Sequence, residues 1–295
     1  MERYLLIDGL NLAYRCFFAV PRLTNREGLA INALQGWVRA LWNLEDYLQP
    51  QGVVVFFDQG ISVQRRVLLE TYKANRPPMP EALCQQLSPA KELARYMGYA
   101  LYSQEGIEAD DLMASTAQYY SSSRNIFIAS ADKDLAQCVG KNVSLLRPSQ
   151  LPQASWKIFD TQQVKQHWGI EPAQMVDYLA LVGDISDNVP GIPGIGPKTA
   201  QKWLQSFTTI EGIYSHLGQI SPIRFAKSLP LYRGQLEMNR KLIQLDRTLS
   251  VPSLSFPMPQ GEQLATLLQE LGLTALATKA RSRYEKNTGQ LSFNL

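Results

Sequence analysis

The sequence has 295 residues, 45% hydrophobic and 19% charged, which indicates one large or two modest folded domains and excludes a disordered chain. The net charge is only +3, from 29 basic and 26 acidic residues, so the total alone favours no class of ligand. The longest apolar runs, such as residues 53–57, are too short to cross a membrane, and three scattered cysteines favour neither a zinc site nor a disulfide framework. Because Asp8 interrupts the N-terminus before a signal-peptide core can form, we expect a cytoplasmic protein.

Short apolar runs at residues 4–7, 53–57 and 125–129 are bounded by polar or turn residues, as is typical of buried strands. Between them, residues 33–48, 87–97 and 110–120 carry apolar side chains at helical spacing. This alternation predicts an α/β fold with a parallel sheet, and ligands bind such sheets beyond the carboxyl ends of the strands. All three predicted strands lead into aspartates.

The pattern changes after about residue 160. Residues 164–168, 172–181, 198–207 and 235–245 are predicted helices, separated by Gly and Pro turns. We therefore expect an α/β core at residues 1–165, a helical subdomain at 166–260 and a helical tail at 261–295, whose role is open.

Nine acids recur at the strand ends and in three short motifs. Glu108 and Asp111 are three apart in a predicted helix and are expected on one face. Asp132 and Asp134 are two apart and are expected on one side of an extended chain. The nine are Asp8, Asp58, Glu108, Asp110, Asp111, Asp132, Asp134, Asp184 and Asp187.

Converging carboxylates need cations, because two like charges about 4 Å apart repel by about 4 kcal/mol at an effective dielectric constant near 20. Their hard oxygens select Mg²⁺ or Mn²⁺, and two such ions activate a water and stabilise the leaving oxygen in displacement at phosphorus. A single aspartate at a strand end is more often a turn former or helix cap, and Asp110 and Asp134 fit that alternative. The combination of strand-end acids and acid pairs favours catalysis, and the rest of the chain is then strongly basic, as a polyanionic substrate requires.

Two further segments point to nucleic acid. Basic residues concentrate between residues 65 and 76, where YKANRPPMP breaks any helix; a solvated charged helix and loop is the alternative. GIPGIGPKTA combines turn-permitting glycines with a helix start, where free N–H groups and Lys198 favour a phosphate. This pattern is a helix-hairpin-helix motif, which binds the duplex backbone without reading sequence.

Six stretches resemble, in order, the motifs of bacterial and phage 5′→3′ exonucleases of the flap endonuclease superfamily. They are LIDGLNLAYR, FFD, YKANRPPMP, GIEADD, SADKDL and GDISDNVPGIPGIGPKTA, and the likeness covers about residues 1–255. It is closest to the N-terminal nuclease domain of DNA polymerase I. Because 295 residues leave no room for a polymerase domain, we expect a free-standing nuclease.

The resemblance implies an α/β fold with a PIN-like parallel-sheet nuclease core, followed by an α-helical helix-hairpin-helix subdomain. It implies that all nine acids ligate two Mg²⁺ ions, for which Mn²⁺ substitutes, and that the hairpin holds a K⁺ ion. It places the basic segment in an arch, where Lys73 and Arg76 face the scissile phosphate and Tyr72 stacks on a base. Contacts with the DNA backbone are expected from Arg15, Arg65, Arg66, Gly191, Gly194, Gly196, Lys198 and Thr199.

We therefore expect a structure-specific 5′→3′ exonuclease or flap endonuclease for primer removal and repair. Its substrates would be branched or 5′-ended duplex DNA and RNA–DNA hybrids, and a DNA polymerase would be its functional partner. The protein would be a monomer that associates with the nucleoid and not with a membrane. Two alternatives remain open at this point. One is a non-catalytic duplex-DNA-binding protein, and the other is a PIN-type ribonuclease.

Overall fold

The protein is described by a computed structural model that covers residues 1–60, 62–149, 156–251 and 253–290. Six strands form a single sheet in the order β3-β2-β1-β4-β5-β6, in which the first five strands are parallel and β6 is antiparallel to β5. The strands are β1 (Arg3–Asp8), β2 (Gly52–Phe56), β3 (Ala100–Tyr102), β4 (Asn125–Ala129), β5 (Val143–Pro148) and β6 (Trp156–Phe159). The predicted α/β fold with a parallel sheet is confirmed.

Helices flank the sheet in the first part of the chain and dominate the second part. The helices around the sheet are α1 (Gly9–Ala19), α2 (Asn32–Leu48), α3 (Val63–Leu68), α4 (Glu81–Tyr96), α5 (Ala109–Tyr120) and α6 (Thr161–Trp168). Those that follow are α7 (Met175–Val182), α8 (Pro197–Phe207), α9 (Ile210–Ser215), α10 (Arg224–Ser228), α11 (Arg233–Ile243), α12 (Gly261–Glu270) and α13 (Thr274–Gln290). None of the helices within the described ranges is both long and apolar enough to cross a membrane.

The topology of the sheet places a binding crevice at the end of β1. This strand is central, with β2 on one side and β4 on the other, and its register aligns Asp8 with Phe56 and Ile7 with Ala129. The chain runs outward from β1 to β3 and then returns to β4, so the strand order reverses between β1 and β4. Such a switch point opens a crevice at the carboxyl ends of the strands.

The two faces of the sheet bury two cores, because successive side chains of a strand point to opposite faces. Leu5 and Ile7 pack with Trp37 and Trp42 of α2, and each of the four side chains is at most 1% exposed. Leu6, on the other face, packs in a core that extends into the helical part of the chain. The sheet and the helical part are therefore joined by one continuous apolar contact.

The predicted hairpin joins α7 to α8. A Cβ atom on Gly191 would lie 2.1 Å from the carbonyl oxygen of Val182, so only glycine allows the chain to approach the end of α7 this closely. Gly194 has a φ of +80°, which a side chain would strain. The Ile192 amide donates to the Leu181 carbonyl (2.9 Å) and ties the hairpin to α7.

Helices α12 and α13 pack against each other, and α12 packs on α4 of the first domain. Leu264, Leu268 and Ala277 are fully buried in the core that contains Trp42. The indole nitrogen of Trp42 donates to the Tyr284 hydroxyl, at 3.3 Å. The C-terminal segment, whose role the sequence leaves open, therefore contributes to the core of the α/β domain.

Candidate active site

An open cleft of about 660 Å³ lies at the C-terminal edge of the sheet, where the strand order reverses. Four aspartates and four basic residues from different elements line it. The aspartates are Asp8, Asp58, Asp110 and Asp132. The basic residues are Lys73, Arg76, Lys133 and Arg147. The structure thus brings together acids that are far apart in the sequence.

Backbone and hydroxyl donors hold the two strand-end acids in place. Asp8 caps α1 by accepting a hydrogen bond from the Asn11 amide (3.0 Å), and its second oxygen accepts from the Ser130 hydroxyl (2.8 Å). Asp58 accepts from the amide of Ala109 (2.7 Å), the first residue of α5. These bonds join the ends of β1, β2 and β4 to two helix N-termini and fix the carboxylates relative to one another.

The carboxylates of the cleft repel one another. Burial, followed by the charges of Asp58 and Asp132, raises the pKa of Asp8 to about 7. Burial also raises the pKa of Asp58. The pKa of Asp110 lies well above its ordinary value because of burial and then the charges of Asp132, Asp8 and Asp58. A cation between these oxygens would relieve the repulsion and favour the ionised forms.

A second group of acids lies beside the cleft. Oxygens of Asp134, Asp184 and Asp187 all lie within 4.8 Å of one another, close enough to ligate one metal ion. Asp134 Oδ1 is buried without a hydrogen-bond partner in the described part of the chain, which is the state expected of an oxygen that a cation completes. Three hard oxygen donors suit a divalent ion such as Mg²⁺ or Mn²⁺. The residues present therefore fit a metal.

Lys133 neutralises part of this second group. Its ammonium nitrogen lies 2.7 Å from Asp184 Oδ2 and 3.5 Å from Asp134 Oδ1. Burial alone would raise the pKa of Asp184, but hydrogen bonds from Lys133 and Ser186 outweigh it and lower that pKa. Asp184 is consequently poised to remain ionised.

Lys73, Arg76 and Tyr72 contact these acids directly. The Lys73 ammonium lies 2.8 Å from Glu108 Oε2, and the Tyr72 hydroxyl donates to both Glu108 (3.2 Å) and Asp187 (3.0 Å). Arg76 pairs with Asp187 yet keeps 46% of its side chain exposed in the cleft. Tyr72 is only 3% exposed, with its ring packed in the core and its hydroxyl bonded inside the protein, and its stacking on a base stays a prediction.

Arg65 and Asp111 lie away from the cleft. The guanidinium of Arg65 is bidentate to Asp111 (2.6 and 2.8 Å), contacts Glu108 (3.0 Å) and donates through Nε to the Leu242 carbonyl (2.8 Å). Arg65 and Asp111 are each 6% exposed. Asp111 therefore faces an arginine and Arg65 is bonded to protein groups, and metal ligation by Asp111 and phosphate contact by Arg65 stay predictions.

Glu108 belongs to the same buried network. It lies just before α5, with extended backbone, and is 3% exposed. Burial raises the pKa of Glu108, but the charges of Lys73 and Arg65 outweigh it and lower that pKa. Glu108 is therefore an anion that fixes Lys73, and it does not line the cleft with the four aspartates.

The remaining expected DNA contacts lie outside the cleft. Lys198 is exposed in the first turn of α8, for which Gly196 is the N-cap residue, and Thr199 is half-buried beside it. Arg66 is exposed on α3. Arg15 is half-buried, with its guanidinium carbon 5.2 Å from the ring centre of Trp156. Contact of these residues and of Gly191 and Gly194 with DNA stays a prediction.

Several residues that line the cleft were not predicted from the sequence, among them Asn11, Tyr14, Lys133 and Arg147. Asn11 and Tyr14 project from α1. Their signal is the helix that begins directly after Asp8. Lys133 lies between two predicted ligands, and its position in SADKD could have suggested a role. Arg147 lies at the end of β5, a strand that was not predicted, and no motif marks it.

A parallel-sheet domain with carboxylates at its C-terminal edge, joined to a helical unit with a glycine-rich hairpin, defines an α/β nuclease architecture. Residues 3–169 match the family described as "5'-3' exonuclease, N-terminal resolvase-like domain", and residues 170–272 match "5'-3' exonuclease, C-terminal SAM fold". The chain therefore belongs to the 5′-3′ exonuclease family, a family of hydrolytic nucleases.

Known relatives include both free-standing and fused proteins. A "5'-3' exonuclease" of Aquifex aeolicus is 36% identical over 282 residues, which cover 94% of each chain. "DNA polymerase I" of Bacillus caldotenax is 30% identical over 302 residues, and "DNA polymerase I, thermostable" of Thermus thermophilus is 35% identical over 280 residues. The match to the Bacillus caldotenax polymerase covers 100% of this chain but only 34% of that protein. The match to the Thermus thermophilus polymerase covers 93% of this chain and 32% of that protein. The chain thus spans about a third of the length of these two polymerases.

Solved structures share the fold at low sequence identity. One is described as "Divalent metal ions (zinc) bound to T5 5'-exonuclease" and superposes with a TM-score of 0.70 at 19% identity, covering 97% of this chain and 99% of that one. The catalytic core of Rad2 in complex with DNA substrate superposes with a TM-score of 0.61 at 15% identity, covering 92% and 88%.

Proposed function

We propose that this nuclease is a divalent-metal-dependent, structure-specific 5′→3′ exonuclease and flap endonuclease. Its substrates would be branched or 5′-ended duplex DNA and the RNA of RNA–DNA hybrids, so that it removes primers and repair flaps. The observation that carries the proposal is the convergence of Asp8, Asp58, Asp110 and Asp132 in one cleft beside the Asp134–Asp184–Asp187 group. The names of its relatives, which include exonucleases and DNA polymerases I, support the same substrate class.

The donor set supports two divalent ions. One would be held by the four aspartates of the cleft, and the other by the group of three beside it. Bound Mg²⁺, or Mn²⁺ in its place, would supply an acidified water and stabilise the leaving oxygen. The glycine-rich hairpin would additionally hold a K⁺ ion on its backbone carbonyls, as the resemblance to the 5′→3′ exonucleases implies.

The protein's own groups have separate roles in this proposal. Arg76, exposed in the cleft, offers its guanidinium to the scissile phosphate and offsets the charge that develops there. Lys73, which pairs with Glu108, adds a fixed positive charge to the lining of the same cleft. The hairpin and the start of α8 present Lys198 to the duplex backbone, which fixes the register without reading bases.

Cleavage of a labelled 5′-flap duplex in Mg²⁺, with products mapped to the nucleotide, tests the proposal. We expect cutting near the junction, no cutting in EDTA, and no cutting by the variant Asp132→Ala/Asp134→Ala, which should still bind the duplex. Glu27→Ala, an exposed acid in the loop after α1, is the matched control and should retain activity. Full activity of the double variant would reject the site assignment.

The same assay separates the alternatives. Binding without metal-dependent cleavage would indicate a non-catalytic DNA-binding protein, and preference for single-stranded RNA would indicate a PIN-type ribonuclease. A substrate of duplex DNA implies action at the nucleoid in the cytoplasm. We further propose that the protein acts as a monomer after a DNA polymerase has displaced the flap.

A further inference from the structure

A cluster of basic side chains lies where β5 and β6 pair, next to the acidic cleft. Arg147, near the end of β5, lines the cleft itself. Lys157 is directly opposite Arg147 in the antiparallel register, and His167 Nε2 on α6 lies 3.4 Å from Arg147 Nη1. Three side chains that can carry a positive charge or donate a hydrogen bond therefore meet near one edge of the sheet.

Like charges that face each other across two strands destabilise the pair unless an anion compensates them. The other three basic residues of the cleft have carboxylate partners: Lys73 pairs with Glu108, Arg76 with Asp187, and Lys133 with Asp184. Among the described residues, no carboxylate lies within ion-pair distance of Arg147 or Lys157. The charge of Asp132 acts on Arg147 from beyond ion-pair distance, and neither Arg147 nor Lys157 forms an ion pair within the described part of the chain.

Arg147 is also held in a fixed position. Its Nη2 donates to the Ala131 carbonyl (3.0 Å), and its guanidinium carbon lies 5.1 Å from the ring centre of Trp168 and 5.7 Å from that of Phe159. Its Nε is buried and has no hydrogen-bond partner within the described part of the chain. A guanidinium that is held by a carbonyl and lies against two rings is preorganised for an anion.

The charges of Arg147 and Lys157 both affect the pKa of the neighbouring His167. Burial, followed by the charges of Arg147 and Lys157, lowers the pKa of His167. A neutral imidazole accepts the hydrogen bond from Arg147 and adds no third charge to the cluster.

We propose that Arg147 and Lys157 form a phosphate subsite that binds a backbone phosphate neighbouring the scissile one. The subsite rests on the proposed nuclease function, because its ligand is the same DNA strand. Along the C-terminal edge of the sheet, the order is Asp58, Asp8, Asp132, Arg147, so acids give way to bases from β2 to β5. Strands lie about 4.8 Å apart, so β5 is roughly 10 Å from β1, a spacing that suits a phosphate adjacent to the one at Asp8.

The test compares the binding of a 5′-flap duplex by the wild-type protein and by Arg147→Met/Lys157→Met, without divalent metal to prevent cutting. Methionine keeps the packed stem and removes the charge. We expect about a tenfold loss of affinity, and the slope of log K against log salt should fall by about 0.9 for the lost phosphate contact. Arg39→Met, on the exposed face of α2, is the control and should change neither quantity.

A scan of methylphosphonates, each removing one phosphate charge in the cleaved strand, identifies the contact. Among the positions that weaken wild-type binding, one next to the scissile phosphate should have no further effect on the double variant. If the two profiles and salt slopes coincide while the wild type binds and cuts the flap, the subsite is rejected and the nuclease proposal survives. If the wild type neither binds nor cuts, the proposed function fails and the subsite fails with it. Thermal unfolding of the variant separates lost binding from lost folding.

Discussion

Lys73 and Glu108 form a buried ion pair, with the ammonium nitrogen 2.8 Å from Glu108 Oε2 and each side chain less than one-tenth exposed. The same nitrogen lies 3.7 Å from Asp187 Oδ2. Lys73 therefore connects the acid before α5 with the acid group of the helical part. Its backbone takes a φ of +57°, and its amide donates to the Asp187 carbonyl (3.1 Å), so the residue is held from both ends.

Breaking this pair should destabilise the protein. Lys73→Met leaves Glu108 buried with less compensation, and we expect a loss of about 3 kcal/mol in the free energy of unfolding. The double variant Lys73→Met/Glu108→Gln should lose less than the sum of the single variants, because neither buried charge is then left unpaired. Urea unfolding measures all three, with exposed Lys202→Met as the control. Strictly additive losses would show that the pair does not couple.

The raised pKa of Asp8 predicts how stability depends on pH in the metal-free protein. Its pKa is about 7 in the fold and 3.8 ordinarily, so the neutral carboxyl stabilises the fold fully below the lower value. This stabilisation is lost as the pH rises through 7. Divalent ions bind the ionised form, so the stabilisation by metal should increase in the same range.

Melting temperatures in EDTA and in Mn²⁺ at about pH 5.5 and about pH 8 measure this effect. We expect the metal-free protein to melt lower at the higher pH, and Mn²⁺ to raise the melting temperature more there. Asp8→Asn should flatten the pH dependence in EDTA. An identical response to Mn²⁺ at both values would contradict the assignment of the cleft aspartates to a metal.

The hairpin depends on the absence of a side chain at Gly191. In Gly191→Ala the new Cβ would meet the Val182 carbonyl oxygen at 2.1 Å, and backbone cannot move aside as a flexible side chain can. We expect a loss of about 2 kcal/mol in the free energy of unfolding, together with weaker binding of duplex DNA. Gly234→Ala, within α11 and with no atom near its Cβ position, should be neutral or stabilising. Equal behaviour of the two variants would contradict the close approach.

The C-terminal helices should be needed for stability of the α/β domain. Ala277 is fully buried on α13, so Ala277→Asp would bury a charge without a partner and should cost more than about 2 kcal/mol. Thr278→Asp places the same charge on the exposed face of the same helix and should have little effect. Chemical unfolding of both variants, followed by tryptophan fluorescence, would reveal a separate unfolding step if α13 were only loosely attached.

Much of the fold followed from local patterns. β1, β2 and β4 were predictable because buried parallel strands are continuous apolar runs. β3 has only three residues, and β5 and β6 carry polar and charged residues near the sheet edge, so no pattern marked them. The missed helix α1 begins at Gly9, directly after a strand, and its cap is the same Asp8 that ends that strand.

The sequence predicted that acids converge at the site. It did not predict which basic side chains pair with those acids. Glu108 and Asp111 are neighbours as expected, since Arg65 contacts both, yet the three-residue spacing could not show that an arginine from α3 lies between them. Asp132 lines the cleft and Asp134 belongs to the acid group beside it, and the Asp134 amide donates to Asp132 Oδ1 (2.9 Å) where a 3₁₀ turn begins. Side chains that pair across the fold depend on tertiary packing, which one sequence does not display.

Anomalous diffraction from crystals of the protein soaked in Mn²⁺ tests the central claim most directly. The account predicts one peak among Asp8, Asp58, Asp110 and Asp132 and a second among Asp134, Asp184 and Asp187. An ordered cleft with no manganese peak at either group would contradict it.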